Sequence, residues 1–469
     1  MTSVIQQFFK NVFTIYLGIV IGMVITFFFT PFLIGILGKS QYGVWQLAFS
    51  ILAYMGLADI GMKQSIVRYI SKYYATGDWR QLNAVFSSSV RLYLIIATAI
   101  LVATAVISFG VLQHFELPPE LVNVARYTFL LLGLDQVISY LFIPFTALGA
   151  FHRFDLSNWF RIGKQVVQTL GIVILLKAGQ GLVAMAVMVL IVNLLVQLGM
   201  NLIRARKYPQ MHFSRDLINR EQTKELLHYG VYSFLLVVTW IVIFQSDNII
   251  IGWFISAEAV AVYSVAAALV NQVRSSIGVL TTPLVPAISH FEAEKDFDKI
   301  RRLYARATRY LYYLSGYLAI MTVLFGGPFI LLWVGPEFAE SILIIQILIL
   351  SSAIHLPQSI AASVLLGISK HKIAFYIQGA EALSKIILSV ILVHSLGIVG
   401  VAVASAVPQV LIYSFIYPYV FHRAIEADVR KFYFTAGRSL LLSVVVLLPV
   451  AWVVRHVKPP DTWLALIVE

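Results

Sequence analysis

Apolar runs of about 20 residues, each long enough to cross a hydrocarbon core of roughly 30 Å, alternate along the chain with short polar segments. Thirteen such runs fall near residues 12–36, 42–66, 90–112, 121–148, 161–178, 181–203, 229–254, 258–284, 310–334, 339–366, 373–394, 398–421 and 436–454. A fourteenth begins at "PPDTWLALIVE" after the thirteenth. The polar start "MTSVIQQFFKN" leads into a full-length run with no small-residue cleavage site, so no removable signal segment is expected. The pattern predicts an all-α polytopic membrane protein.

The runs are also related to one another. "ISKYYATGDWRQLNAVF" from Ile70 returns as "ISHFEAEKDFDKIRRLY" from Ile288, with Ile70, Ser71, Ala75 and Asp78 answered by Ile288, Ser289, Ala293 and Asp296. The offset of 218 also relates Pro118 to Pro336, Arg91 to Arg309, Leu148-Gly149 to Leu366-Gly367 and Gly179 to Gly397. A constant spacing from Ile70 to Val187 implies two structural repeats. Six spans per repeat is an even number, so both lobes enter the membrane in the same sense, related by a pseudo-two-fold axis along the membrane normal. This divides the chain into an N-lobe (1–203), a linker (204–228), a C-lobe (229–422) and a C-terminal extension (423–469) holding span 13 and the start of span 14. Two such lobes facing each other would form a central cleft suited to alternating access. The doubled stretch reads as the end of a span, a turn, and a short amphipathic helix capped by Asp78 or Asp296.

Composition and charge add orientation. Apolar residues make up 60% of the 469 positions and charged residues 12%, against roughly 25% charged in soluble domains. The net charge of +12 does not point to nucleic acid, because the basic residues lie between the spans. With the N-terminus inside, 27 Lys and Arg face the cytoplasm and five face the other side, as the positive-inside rule requires. The absence of cysteine excludes disulfides and thiolate metal sites. No metal or cofactor is expected.

The stretch "TPFLIGILGKSQYGVWQLAFSILAYMGLADIGM", with Pro31, Leu37-Gly38, Tyr42-Gly43, Asp59 and Gly61, resembles the oligosaccharide flippase (polysaccharide transporter) family of the multidrug/oligosaccharidyl-lipid/polysaccharide exporter superfamily. "QSDNIIIGWFISAEAVAVYSVA" around Asp247-Asn248 and Gly252 fits the same family. The resemblance implies twelve or fourteen spans in two lobes and the movement of undecaprenyl-pyrophosphate-linked sugars between leaflets. It also implies membrane lipids as partners, with a polysaccharide polymerase or glycosyltransferases acting beside the protein.

Charges at mid-membrane cost about 2.5–3.5 kcal/mol each on insertion scales, so those present call for a role. Arg274 in span eight and Lys385 in span eleven are the basic residues well inside the bilayer, and their repeat mates Gly56 and Val167 are uncharged. Shared positions build scaffold; unshared charges point to function. An Arg fork and a Lys point charge suit a pyrophosphate, which makes Arg274 and Lys385 the candidate substrate contacts. Glu381, four residues before Lys385, is an alternative intrahelical partner for it. Asp247 is offset from Arg274 by about nine residues, roughly 14 Å along the helices, too far for a direct pair.

Asp135 and Asp247 are candidates for proton or sodium coupling, with an inter-helix hydrogen bond as the plainer alternative for each. Asp59 and Lys63, spaced i,i+4, are expected to pair. His355 in span ten is a candidate cleft residue or a packing residue. Pro31, Pro144, Pro283 and Pro357 are hinge candidates, because proline breaks backbone hydrogen bonds within a span; Pro286 and Pro408 share the property.

Catalysis is disfavoured. The "DFD" at Asp296–Asp298 is a bare D-x-D match, but its first member keeps a capping counterpart in Asp78 while Asp298 corresponds to Arg80. No P-loop, H-E-x-x-H or G-x-S-x-G motif is present. The chief rival is a cation-coupled multidrug exporter of the same superfamily, which would favour acidic binding surfaces; lipid II flipping is a variant of the leading reading.

Overall fold

The computed structural model describes residues 2–59, 61–146, 148–151, 154–281, 284–368 and 370–456. Among them there are helices and turns and no strand. Two compact units divide the chain, Met1–Val238 and Thr239–Glu469.

The first unit contains α1 (Thr2–Met55), α2 (Met62–Ala75), α3 (Trp79–Val106), α4 (Pro119–Phe142), α5 (Phe154–Lys177) and α6 (Leu182–Lys207). Residues 208–219 then lead into α7 (Arg220–Phe254), which runs across the division. The second unit continues with α8 (Ala257–Thr281), α9 (Leu284–Ala293), α10 (Phe297–Val334), α11 (Glu340–His355), α12 (Ser359–Gly367), α13 (His371–Leu411), α14 (Tyr417–Ala424) and α15 (Val429–His456). The residues expected to begin span fourteen lie outside the described ones.

Nine helical stretches among the described residues are long and apolar enough to cross a membrane. Two of them are spans joined end to end. Gly38 in α1 has φ 72° and Gly397 in α13 has φ 58°, values that break the helix and that a side chain would resist. The expected boundaries near residues 36–42 and 394–398 fall at these two glycines. α8 and α15 occupy two further expected spans.

The repeat is physical. Asp78 accepts from the Gln81 amide at 3.0 Å and Asp296 from the Lys299 amide at 2.9 Å, each capping the helix that follows. Those helices are longer than the sequence suggested: α3 and α10 run unbroken from the cap into the membrane, with no separate amphipathic helix. Ser71 Oγ donates to the Ala150 carbonyl at 2.7 Å, and Ser289 Oγ to that of Gly367 at 3.3 Å. Ile70 and Ile288 are both fully buried. Gly179, like its mate Gly397, has a positive φ, here 79°.

In the first unit α4 packs against α3 and α6; in the second, α10 packs against α11 and α15. Close approach uses small residues where a hydrophobic drive between helices is missing. A Cβ on Gly133 would stand 2.2 Å from Thr104 Cγ2, so only glycine fits at that crossing of α3 and α4.

Candidate functional site

Helices α7, α8, α11 and α13 bring the charged residues of the second unit together. Arg274 on α8 is half-buried. Its Nε and Nη2 donate to Ser352 Oγ on α11 at 3.2 and 2.9 Å, and Nη1 donates to Asn271 Oδ1 at 3.4 Å. The guanidinium lies over the Phe244 ring of α7, 4.7 Å from its centroid, a cation–π contact that holds the group without supplying a formal counter-charge. No ion pair to Arg274 occurs among the described residues. The helical offset had already argued against Asp247 as its partner.

Lys385 on α13 is buried, and its Nζ lies 2.9 Å from Asp247 Oδ2 on α7; it also donates to the Ile243 carbonyl. The alternative partner, Glu381, instead accepts from the Tyr413 hydroxyl at 2.9 Å. Asp247 has further donors in Tyr263 Oη at 2.7 Å and Ser405 Oγ at 3.3 Å. One candidate substrate contact and one candidate coupling acid are thus each other's counter-ions. The four formal charges of Arg274, Lys385, Asp247 and Glu381 cancel, so the second unit's interior is not simply cationic; within it, Arg274 is the charge held without a carboxylate partner.

His355 meets Tyr413 edge to face with ring centroids 4.3 Å apart, and its buried Nδ1 has no hydrogen-bond partner. Pro357 is buried in the turn Leu356–Gln358 that joins α11 to α12. In the first unit Pro31 lies inside α1, and Pro144 follows the end of α4. Pro283 lies outside the described residues.

Asp135 on α4 belongs to a separate cluster in the first unit. Lys164 Nζ of α5 donates to Asn193 Oδ1 of α6 at 2.8 Å, and Asn193 Nδ2 donates to Ser139 Oγ at 2.8 Å and to the Asp135 carbonyl at 3.3 Å. Asp135 Oδ1 is buried with no hydrogen-bond partner. Asp59 takes hydrogen bonds from Tyr93 of α3 and from the Lys63 backbone amide, and its carboxylate forms no ion pair with the Lys63 side chain among the described residues. Asp298 pairs with Arg301 at 2.9 Å in the first turn of α10, so both acids of "DFD" serve the helix start. Sequence reasoning passed over Lys164, Ser352, Tyr263 and Tyr413, because their roles depend on tertiary partners that leave no local spacing.

A bundle of membrane-spanning helices built from two repeats, with ionised groups in its interior, defines a membrane transporter. The profile of the polysaccharide biosynthesis protein family matches residues 8–292, and the MatE profile matches residues 233–391. The chain belongs to the polysaccharide biosynthesis protein family, within the multidrug/oligosaccharidyl-lipid/polysaccharide exporter superfamily. It is 21% identical over 316 residues to the uncharacterized membrane protein EpsK of Bacillus subtilis, a match spanning 66% of this chain and 62% of EpsK. It is 20% identical over 382 residues to a candidate O-antigen transporter of Shigella flexneri, covering 80% of this chain and 88% of that one. Its fold is similar to that of the lipid II flippase MurJ in an inward closed conformation, with a TM-score of 0.73 at 15% identity over 99% of this chain and 96% of that one.

Proposed function

We propose that the protein moves a polyprenyl-pyrophosphate-linked oligosaccharide from the inner to the outer leaflet of the plasma membrane, for surface polysaccharide synthesis, by alternating access. The observation that carries this reading is Arg274, an interior guanidinium fixed by a hydroxyl and an aromatic ring, with no carboxylate in ion-pair contact among the described residues. An anionic diphosphate can take up that contact and matches the planar donor fork. Lys385 joins the substrate only by releasing Asp247, so Arg274 is the first contact. By the same geometry Asp135, with a carboxylate oxygen unpaired, is the stronger candidate for ion coupling, and Asp247 couples only when Lys385 lets go. The 27-to-five distribution of basic residues supports a cytoplasmic N-terminus. Membrane lipids, and glycosyltransferases or a polymerase that make and use the cargo, are the expected partners; nucleic acid is not.

A second reading, a cation-coupled multidrug exporter, is favoured by the MatE match over residues 233–391. Lipid II flipping uses the same pyrophosphate chemistry and is a variant of the first. Proteoliposomes separate the two main readings. A labelled polyprenyl-pyrophosphate oligosaccharide is scored by its accessibility to an external sugar-modifying reagent, against empty vesicles. Protein-dependent transfer is the expected result; no transfer, with exchange of a lipophilic cation for protons or sodium in the same vesicles, would replace it with the exporter reading.

A further inference from the structure

The two units treat one equivalent place differently. In the first, the segment after α6 is tied to α3: Asn83 Nδ2 donates to the Gln210 carbonyl at 2.9 Å, the His212 amide donates to Asn83 Oδ1 at 3.1 Å, and Arg204 Nη1 donates to the Met211 carbonyl at 2.7 Å. Met211 is buried, and the Arg204 guanidinium lies 5.6 Å from the Phe86 ring centroid. At the offset of 218, Asn83, Phe86, Val90 and Arg204 correspond to Arg301, Tyr304, Thr308 and His422. The His422 ring sits 5.4 Å from that of Tyr304, repeating the Arg204–Phe86 contact.

In the second unit the connector is only residues 425–428, because α15 starts at Val429. Among the described residues, a cavity of about 400 Å³ opens there between the starts of α10 and α15. Its walls carry hydroxyls where the first unit has Phe86 and Val90. Tyr304 and Thr308 are 3% and 4% exposed, and their hydroxyls, one helical turn apart, have no partner but each other. Two buried hydroxyls that satisfy only each other leave hydrogen-bonding capacity unused, and a polar occupant would take it up.

The charges at the rim identify that occupant. Arg301 is committed to Asp298 at 2.9 Å, Glu426 at 3.8 Å and the Ile425 carbonyl at 2.9 Å. Asp428 is engaged by the Arg430 amide at 2.8 Å. Arg302 and Lys431 also line the cavity; both are exposed and neither has an ion pair among the described residues. The lining holds three basic side chains, Arg301, Arg302 and Lys431, against two carboxylates, Glu426 and Asp428, and the two bases without an ion pair stand above an apolar wall that includes Phe432, an arrangement that fits an anionic amphiphile better than a neutral peptide.

We propose that this cavity holds the phosphate headgroup of an anionic membrane lipid, on the membrane face that bears most of the basic residues. The proposal stands on the second unit alone and does not depend on the identity of the transported substrate.

The test is thermal unfolding of the full chain in detergent, titrated with dihexanoyl-phosphatidylglycerol, dihexanoyl-phosphatidylcholine or inorganic phosphate. Phosphatidylglycerol is expected to raise the unfolding temperature where the other two do not. Arg302→Gln with Lys431→Gln should weaken its apparent affinity about tenfold or more, and Thr308→Val should weaken it several-fold. Arg206→Gln with Lys207→Gln, which removes two exposed charges from the end of α6, should leave it unchanged. Each double variant is first checked for a lipid-free unfolding temperature equal to that of the unaltered protein. Equal responses to both lipids, or equal losses in the two double variants, would reduce the effect to general surface attraction and overturn the site. A response to inorganic phosphate matching that to phosphatidylglycerol would overturn the lipid as its source. Unchanged phosphatidylglycerol binding after Arg302→Gln with Lys431→Gln would leave the cavity to a polypeptide partner.

Discussion

The first and second units share a scaffold and differ in what they bury inside it. Asp78 and Asp296 cap equivalent helices, Ser71 and Ser289 tie equivalent turns, and Gly179 and Gly397 take a positive φ at equivalent positions. Yet Arg274 and Lys385 stand where the first unit has Gly56 and Val167. Asp135 is likewise unshared, since its mate is Ala353. Duplication explains the common features by folding alone. The unshared charges require another reason, because a mid-membrane charge destabilises unless something pairs with it.

The sharpest way to break this comparison is at Arg274. Arg274→Ala is expected to abolish transport while leaving folded protein in the membrane, measured as leaflet transfer per unit of folded protein. Arg274→Lys should retain only part of the rate, since a point charge cannot reproduce the fork.

Lys385 should behave differently. Removing one partner of a buried pair leaves the other uncompensated, so Lys385→Ala should destabilise by about 3–5 kcal/mol, seen as a lower yield and unfolding temperature. Lys385→Met combined with Asp247→Leu should recover most of that loss. A Lys385→Ala protein with normal stability would remove the buried pair from the scaffold.

A smaller effect separates the repeats at the turn before the caps. Gly77 has φ 71° and its mate Lys295 φ 58°. A left-handed conformation costs a side chain about 1 kcal/mol or more, so Lys295→Gly should stabilise and Gly77→Lys destabilise by similar amounts. Urea or thermal unfolding of the two variants would check this.

The smallest expected effect is on pH. The Asp296 carboxyl is held below its ordinary value of 3.8, chiefly by its hydrogen bond with Lys299. Its capping contribution is therefore complete above about pH 4 and is lost as pH falls through the lowered value. Asp296→Asn should flatten this acid limb of the stability profile.

Much of the scaffold was legible in the sequence. The span positions, the repeat and both aspartate caps follow from periodicity and the offset of 218, which are local or additive signals. Gly38 entered the sequence reading within the family-resembling stretch and Gly397 as the repeat mate of Gly179, and their positive φ emerged with the backbone. Lys385 shows why the site was harder. Its sequence neighbour Glu381 has helical spacing, but its partner is Asp247, on another helix and 138 residues away. Helix packing decides such pairs, and nothing in local spacing records it. Arg274 could be singled out early because its significance lies in the missing charge on its repeat mate, a comparison contained in the sequence.

The absence of native cysteine permits one direct test of the central claim, that a positive charge at position 274 carries the anionic substrate. Arg274→Cys protein in proteoliposomes is assayed for oligosaccharide transfer before and after modification with an aminoethyl thiosulfonate, which restores a positive charge, or a methyl thiosulfonate, which does not. Transfer should be lost in the unmodified protein and recovered in part with the aminoethyl reagent alone. Full transfer without modification, or equal recovery with both reagents, would contradict the account.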